Sequence, residues 1–157
     1  ICLLMSLDTG VVSAAILKSC QSKADVVSAD EKENGLRATL NFGHTFAHAI
    51  EAAQGYGIWL HGEAVATGML IALDLSVRMG WVNVEEISRL RYLLEKANLP
   101  VVVPENMTER QFLDIMSVDK KVLSDRLRLV LLKSIGCAIV TEEAPQEKIT
   151  ESILACR

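Results

Sequence analysis

Aromatic side chains make up only 4% of this sequence, and proline and histidine occur just three times each in 157 residues. Apolar residues are nonetheless 50% of the chain, which excludes a disordered segment. With so few rings, that apolar weight falls on Ala, Val, Leu and Ile, which suits close-packed helices better than a β-sandwich. A basic excess is missing too: 16 Lys and Arg stand against 20 Asp and Glu, a net charge of −4. Nothing here resembles a nucleic-acid footprint. No apolar run reaches the roughly 18–20 residues that would span a bilayer. The opening Ile1–Met5 is too short for a signal-peptide core and has no basic segment before it. The cysteines at 2, 20, 137 and 156 form no C-x-x-C pair. They read as reduced thiols of a cytoplasmic protein rather than as a zinc knuckle. A starting methionine is absent as well, and the chain enters directly on an apolar run without a cap, as a piece of something longer would.

What is present reads as one mainly α domain with a sizeable core. Val12, Ile16, Cys20, Ala24 and Val27 recur three and four apart between Asp8 and Asp30, the period of a helix that Asp8 or Thr9 could cap. Lys23 falls near that stripe, where a lysine ordinarily snorkels to solvent. The charged turn Asp30–Gly35 follows, with the breaker Asn34-Gly35. A second helix is expected over Thr39–Gln54, stopped by Gly55-Tyr56-Gly57. A third, Gly62–Met79, is apolar nearly all round and therefore buried. Val84–Ala97 is amphipathic, with Ile87, Leu90, Leu93 and Leu94 on one face. Thr108-Glu-Arg-Gln111 is a capping box that opens a helix to about Asp119. The texture then changes. Leu127–Lys133 and Cys137–Thr141 read as a β-hairpin. Pro145 opens a last helix to about Ala155. The expected architecture is a bundle-like set of six helices with one short hairpin near the C-terminus.

All three histidines lie within one short window. His44 and His48 are i and i+4, which places their Cβ atoms about 5–6 Å apart on one helical face. His61 follows a glycine-rich turn and can fold back onto them. The zincin pattern needs Glu directly after the first His, and Thr45 stands there instead, so that class of metalloprotease is excluded. Three imidazoles could hold zinc. They could equally be core histidines satisfied by backbone carbonyls, although their clustering among glycines weighs against that. Glu51 and Glu63 are open between further ligands and partners that orient an imidazole. If the second helix begins early, Arg37, Asn41, His44 and His48 form one polar stripe on it. A cation, an amide and imidazoles in a row suit an oxygen-rich anionic ligand.

These residues, Arg37-x-x-x-Asn41-x-Gly43-His44-x-x-x-His48-Ala-Ile-Glu51 followed by Leu60-His61-Gly62-Glu63-Ala-Val-Ala and Gly68-Met69, closely resemble 3-dehydroquinate synthase. Lys23-Ala-Asp-Val-Val, Asp30-Glu-Lys-Glu33, Asp119-Lys120-Lys121 and Leu127–Leu132 extend the resemblance over essentially the whole chain. It implies that residues 1–157 are the C-terminal helical domain, and that an N-terminal α/β domain, which binds NAD, is outside this chain. It implies further that His44 and His61 are ligands of Zn2+ (or Co2+), with a third ligand, a glutamate, from the missing half. His48 becomes an acid/base group facing substrate. Lys23, Arg37 and Asn41 bind substrate, Glu33 supports that pocket, and Lys120 or Lys121 adds a cation, with Lys120 favoured. Lys23 then faces the site instead of snorkelling away from it. The substrate implied is the phosphorylated keto acid DAHP, which the family converts to 3-dehydroquinate with loss of phosphate, on the route to aromatic amino acids. The full-length enzyme is expected to be a cytoplasmic homodimer, without nucleic acid or membrane partners, and this half alone to be inactive. The remaining alternatives are another sugar-phosphate cyclase and a non-catalytic helical domain that keeps the motif.

Overall fold

The computed structural model describes residues 2–32, 35–55, 57–118 and 127–157, without the side chain of Val118. Helix α1 is a single turn, Cys2–Met5, and α2 runs from Thr9 to Ala29. Asp8 caps α2, its Oδ1 accepting from the Val11 N–H at 3.0 Å. A 3₁₀ helix covers Leu36–Asn41, and α3 covers His44–Gln54. Then come α4 (His61–Arg78), α5 (Glu85–Lys96) and α6 (Glu109–Val118). Strands β1 (Leu129–Ser134) and β2 (Cys137–Thr141) pair antiparallel, with Leu129 opposite Thr141 and Leu131 opposite Ile139. Helix α7, Gln146–Ala155, closes the chain.

The core forms where α4 lies against α3, α7 and the hairpin. As its apolar sequence requires, α4 is buried from Leu70 through Ser76. Phe46, Ala47, Ala49 and Ile50 of α3 meet it, and Phe112, Met116, Leu129, Leu131, Ile149 and Ile153 complete the cluster. The strand alternation is visible in β1: Leu129 and Leu131 are buried, while Val130 and Leu132 are half-buried. Ser76 ties the hairpin to α4, its Oγ accepting from the Leu132 N–H at 3.0 Å and donating to the Ala72 carbonyl at 2.7 Å. At α6 the capping box forms: the Gln111 side chain accepts from the Thr108 N–H at 2.8 Å, and Thr108 Oγ1 accepts from the Gln111 N–H at 3.2 Å.

Two expectations change. The second helix is not continuous from Thr39. The chain turns as a 3₁₀ helix to Asn41, breaks at Phe42-Gly43, and restarts as α3 at His44. Gly43 sits at φ +83°, a left-handed conformation that ends one helical path and begins another. Arg37 and Asn41 therefore do not share a helical stripe with His44 and His48. The stripe expected to bury α2 is also not buried: no residue of α2 is, and Ile16 is 59% exposed. Lys23 thus has no buried stripe beside it. The amphipathic helix expected over Val84–Ala97 forms as α5, with Leu94 of its apolar face buried. The capped helix at 109 ends at Val118, and the expectation for Asp119 lies outside the described residues.

Candidate functional site

The three imidazoles come together where the start of α3 faces the start of α4. His44 opens α3, His48 follows one turn later, and His61 opens α4. Ring centroids are 5.2 Å apart for His44–His61, 5.8 Å for His44–His48 and 6.2 Å for His48–His61. Two glycines allow the helices to approach. A Cβ on Gly43 would meet the Met69 backbone nitrogen at 2.6 Å, and one on Gly68 would run into the Gly43 carbonyl. Only bare backbone fits on either side of this contact.

The Nδ1 atoms of the closest pair have partners. His61 Nδ1 lies 3.1 Å from Glu51 Oε1, and His44 Nδ1 lies a long 3.4 Å from the Phe42 carbonyl. A carboxylate and a carbonyl can only accept, so both Nδ1 atoms carry a hydrogen, and in the neutral form of each ring it is Nε2 that has the lone pair. Burial pushes the His44 pKa below its ordinary value, and the nearby His61 and His48 add to this. The Phe42 carbonyl opposes the shift without reversing it. A neutral imidazole with Nδ1 held by an acceptor is the form that binds a metal through Nε2, so this pair fits a zinc-like ion. Among the described residues no group of three or more His, Cys, Asp and Glu is arranged to hold one. His48 is exposed and makes no hydrogen bond among the described residues.

Glu63, the other acid weighed as a ligand, is engaged differently. Its Oε2 accepts from the Leu60 N–H at 2.8 Å and caps the first turn of α4.

Beside His44 opens a cavity of about 490 Å³, lined by Ser19, Ser22, Lys23, Arg37, Leu40, Asn41 and His44. The structure thus gathers Lys23, Arg37, Asn41 and His44 around one space, although they come from α2, the 3₁₀ helix and α3. Asp30 sets the entry to the 3₁₀ helix: its Oδ2 accepts from the Gly35 N–H at 2.8 Å and from the Arg37 N–H at 3.0 Å. Arg37 Nη1 donates to the Glu31 carbonyl at 3.0 Å. Glu33 and Lys120 lie outside the described residues. Ser19, Ser22 and Asp30 escaped the sequence reading. Ser19 stands four residues before Lys23, on the same helical face, which was the available signal; Asp30 before an Asn-Gly turn was another.

Residues 3–122 match the family of 3-dehydroquinate synthase C-terminal domains. The chain is 53% identical over 152 residues to the 3-dehydroquinate synthase of Pseudomonas syringae pv. tomato, which covers 97% of this chain and 41% of that protein. It is 56% identical over 144 residues to that of Pseudomonas aeruginosa, covering 92% and 39%. The chain spans about two fifths of the length of these relatives. Among solved structures, 2-deoxy-scyllo-inosose synthase complexed with carbaglucose-6-phosphate, NAD+ and Co2+ superimposes with a TM-score of 0.75 at 27% identity, over 87% of this chain and 40% of that one. The 2-epi-5-epi-valiolone synthase of Streptomyces hygroscopicus, with NAD+ and Zn2+ bound, shares the fold with a TM-score of 0.81 at 23% identity, over 94% of this chain and 40% of that one.

Proposed function

The chain belongs to the 3-dehydroquinate synthase C-terminal family, and from that premise we propose that it is the metal- and substrate-binding half of an enzyme that converts DAHP to 3-dehydroquinate and inorganic phosphate. The observation that carries this reading is the cavity shared by Lys23, Arg37, Asn41 and His44, with the rings of His61 and His48 centred 5.2 and 5.8 Å from that of His44.

DAHP carries a phosphate and a carboxylate. Lys23 and Arg37 supply two cations to a substrate with two anionic groups, and Arg37 offers a planar fork suited to either oxyanion. Asn41 has both donor and acceptor atoms for substrate hydroxyls. His44 and His61 would hold zinc or cobalt through Nε2, the remaining ligand and NAD coming from a preceding domain. Bound there, the metal would supply Lewis-acid polarisation of a hydroxyl or carbonyl oxygen, and NAD would accept and return a hydride. His48 shares a face of α3 with His44 and stands beside both ligands. It moves protons at the substrate, to or from the oxygens whose bonds change as phosphate leaves and the ring closes. Glu33 and Lys120 would add support and charge to the pocket. The reading makes the whole protein a cytoplasmic lyase of aromatic amino acid biosynthesis acting as a homodimer, and leaves this half inactive alone. Another sugar-phosphate cyclase is the second reading, favoured by the two solved structures above. The 53% identity to a dehydroquinate synthase over nearly the whole chain weighs against it.

The test is a chimera. The chain is fused behind the N-terminal part of a Pseudomonas relative and given DAHP, NAD+ and zinc. Phosphate release with 3-dehydroquinate as product supports the reading. A folded, zinc-loaded chimera that ignores DAHP yet cyclises another sugar phosphate would transfer it to the second.

A further inference from the structure

We propose that Glu51 is the positioning residue of the metal centre: it fixes His61 as the Nδ1–H tautomer and aims its Nε2 toward His44. The inference rests on the reading of His44 and His61 as metal ligands.

Glu51 lies seven residues after His44 and three after His48, on the face of α3 that carries both. Its side chain is 16% exposed, whereas that of His61 is 56% exposed. The less exposed partner is therefore the anchor, and the exposed ring is what it restrains. The 3.1 Å contact between Glu51 Oε1 and His61 Nδ1 is the only hydrogen bond His61 makes among the described side chains. His61 sits at the first position of α4, after the exposed Ile58 and Leu60, so local packing does little to hold its ring. An imidazole left free to rotate would present either nitrogen to a metal and would lose conformational entropy on binding. With Glu51 in place that ordering is done in advance, and the charge makes Nε2 a better donor. The structure also separates the two acids that the sequence left equivalent. Glu63 is committed to the Leu60 N–H as a helix cap, and Glu51 alone reaches an imidazole.

The 157-residue chain is tested without metal by long-range ¹H–¹⁵N correlation of the imidazoles at a mildly alkaline pH. His61 is assigned by comparison with His44→Gln and His48→Gln. The expected result is Nδ1–H for His61 in the native chain and in Glu51→Gln, whose amide oxygen still accepts, and a shift to the ordinary Nε2–H form in Glu51→Ala. In a second measurement, zinc is competed against a chromophoric chelator. Glu51→Ala is expected to bind about 10–100-fold more weakly, Glu51→Gln several-fold more weakly and Glu63→Gln as tightly as the native chain. An unchanged His61 tautomer in Glu51→Ala overturns the proposal, and so does native zinc affinity in both Glu51 variants. If Glu51→Ala does not fold by circular dichroism, Glu51→Gln decides: loss of zinc affinity with the tautomer kept supports the role, and native affinity overturns it. The underlying reading fails separately, if His44→Ala and His61→Ala leave zinc affinity unchanged. The tautomer measurement needs no metal and holds in either case.

Discussion

Gly43 and Gly68 touch backbone to backbone, and this contact sets the spacing between the two helices that carry the histidines. Gly43 has φ +83°, and a Cβ there would lie 2.6 Å from the Met69 nitrogen, an atom of the α4 backbone that cannot rotate away. Gly43→Ala is expected to destabilise the fold by about 2–4 kcal/mol, combining left-handed strain with overpacking. Gly68→Ala meets the same contact from the other side. Gly62→Ala is the control, since nothing lies within 4 Å of its added methyl. At that helical position alanine should be neutral or stabilising by up to about 1 kcal/mol. Urea unfolding of the three variants measures the differences.

The histidines should separate into two groups. His44→Ala and His61→Ala are expected to lower zinc content in the chimera. His48→Ala should retain zinc and lose turnover by about 10²–10⁴-fold, the range of a general acid/base. Metal analysis beside steady-state phosphate release measures both. Equal loss of metal and turnover in His48→Ala would make His48 a ligand.

Cys156 is buried, and burial chiefly, with Asp74 nearby, pushes its thiol up to about 11, while Cys2, Cys20 and Cys137 are exposed. Three thiols should therefore react promptly with Ellman's reagent and the fourth only on unfolding. The stability consequence has a definite sign. Between pH 9.0 and about 11 the unfolded chain loses this proton and the folded chain keeps it, so stability falls as pH rises. The loss approaches about 2–3 kcal/mol at the top of that range. Comparing denaturation of the native chain and Cys156→Ala at pH 8 and 10.5 isolates it: the variant should lack this slope.

Arg78 joins α4 to α7. Its Nε donates to Asp74 at 2.5 Å and its Nη1 to Glu151 at 2.6 Å, while Lys148 Nζ donates to the Arg78 carbonyl at 2.7 Å. The Asp74 side chain is 13% exposed and that of Glu151 57%. Asp74→Ala should accordingly cost about 1.5–3 kcal/mol, because it removes the better-buried of the two carboxylates that hold Arg78 and leaves only the exposed Glu151. Glu151→Ala should cost under about 1 kcal/mol, and less in high salt. Thermal unfolding at two ionic strengths distinguishes them.

Much of the fold was legible because it is written in local chemistry. Asp8 caps α2, Thr108 and Gln111 close a box at α6, and the nearly all-round apolar character of 62–79 buries α4. These depend on neighbours within a turn or two. The break at Gly43 was not legible. A glycine inside a helical pattern is ordinarily tolerated, and only the α4 backbone on the far side makes a left-handed turn necessary there. The exposure of α2 was hidden for the same reason: periodicity reports a face, and whether another element covers that face is a fact about the rest of the molecule.

By itself, the sequence determined the helical class, the hairpin, and the identity of the residues able to do polar chemistry, because side-chain type and spacing are local properties. The spacing of His44, His48 and His61 announced a cluster and left its division of labour open. Tertiary structure decided what each group is joined to. It put Lys23 of α2 into a cavity with Arg37, Asn41 and His44, and it turned Glu51 to an imidazole while Glu63 went to a helix end. The physical reason is that hydrogen bonds are made in space. Two glutamates alike in composition differ once one faces a ring across a helix pair and the other faces a free backbone N–H.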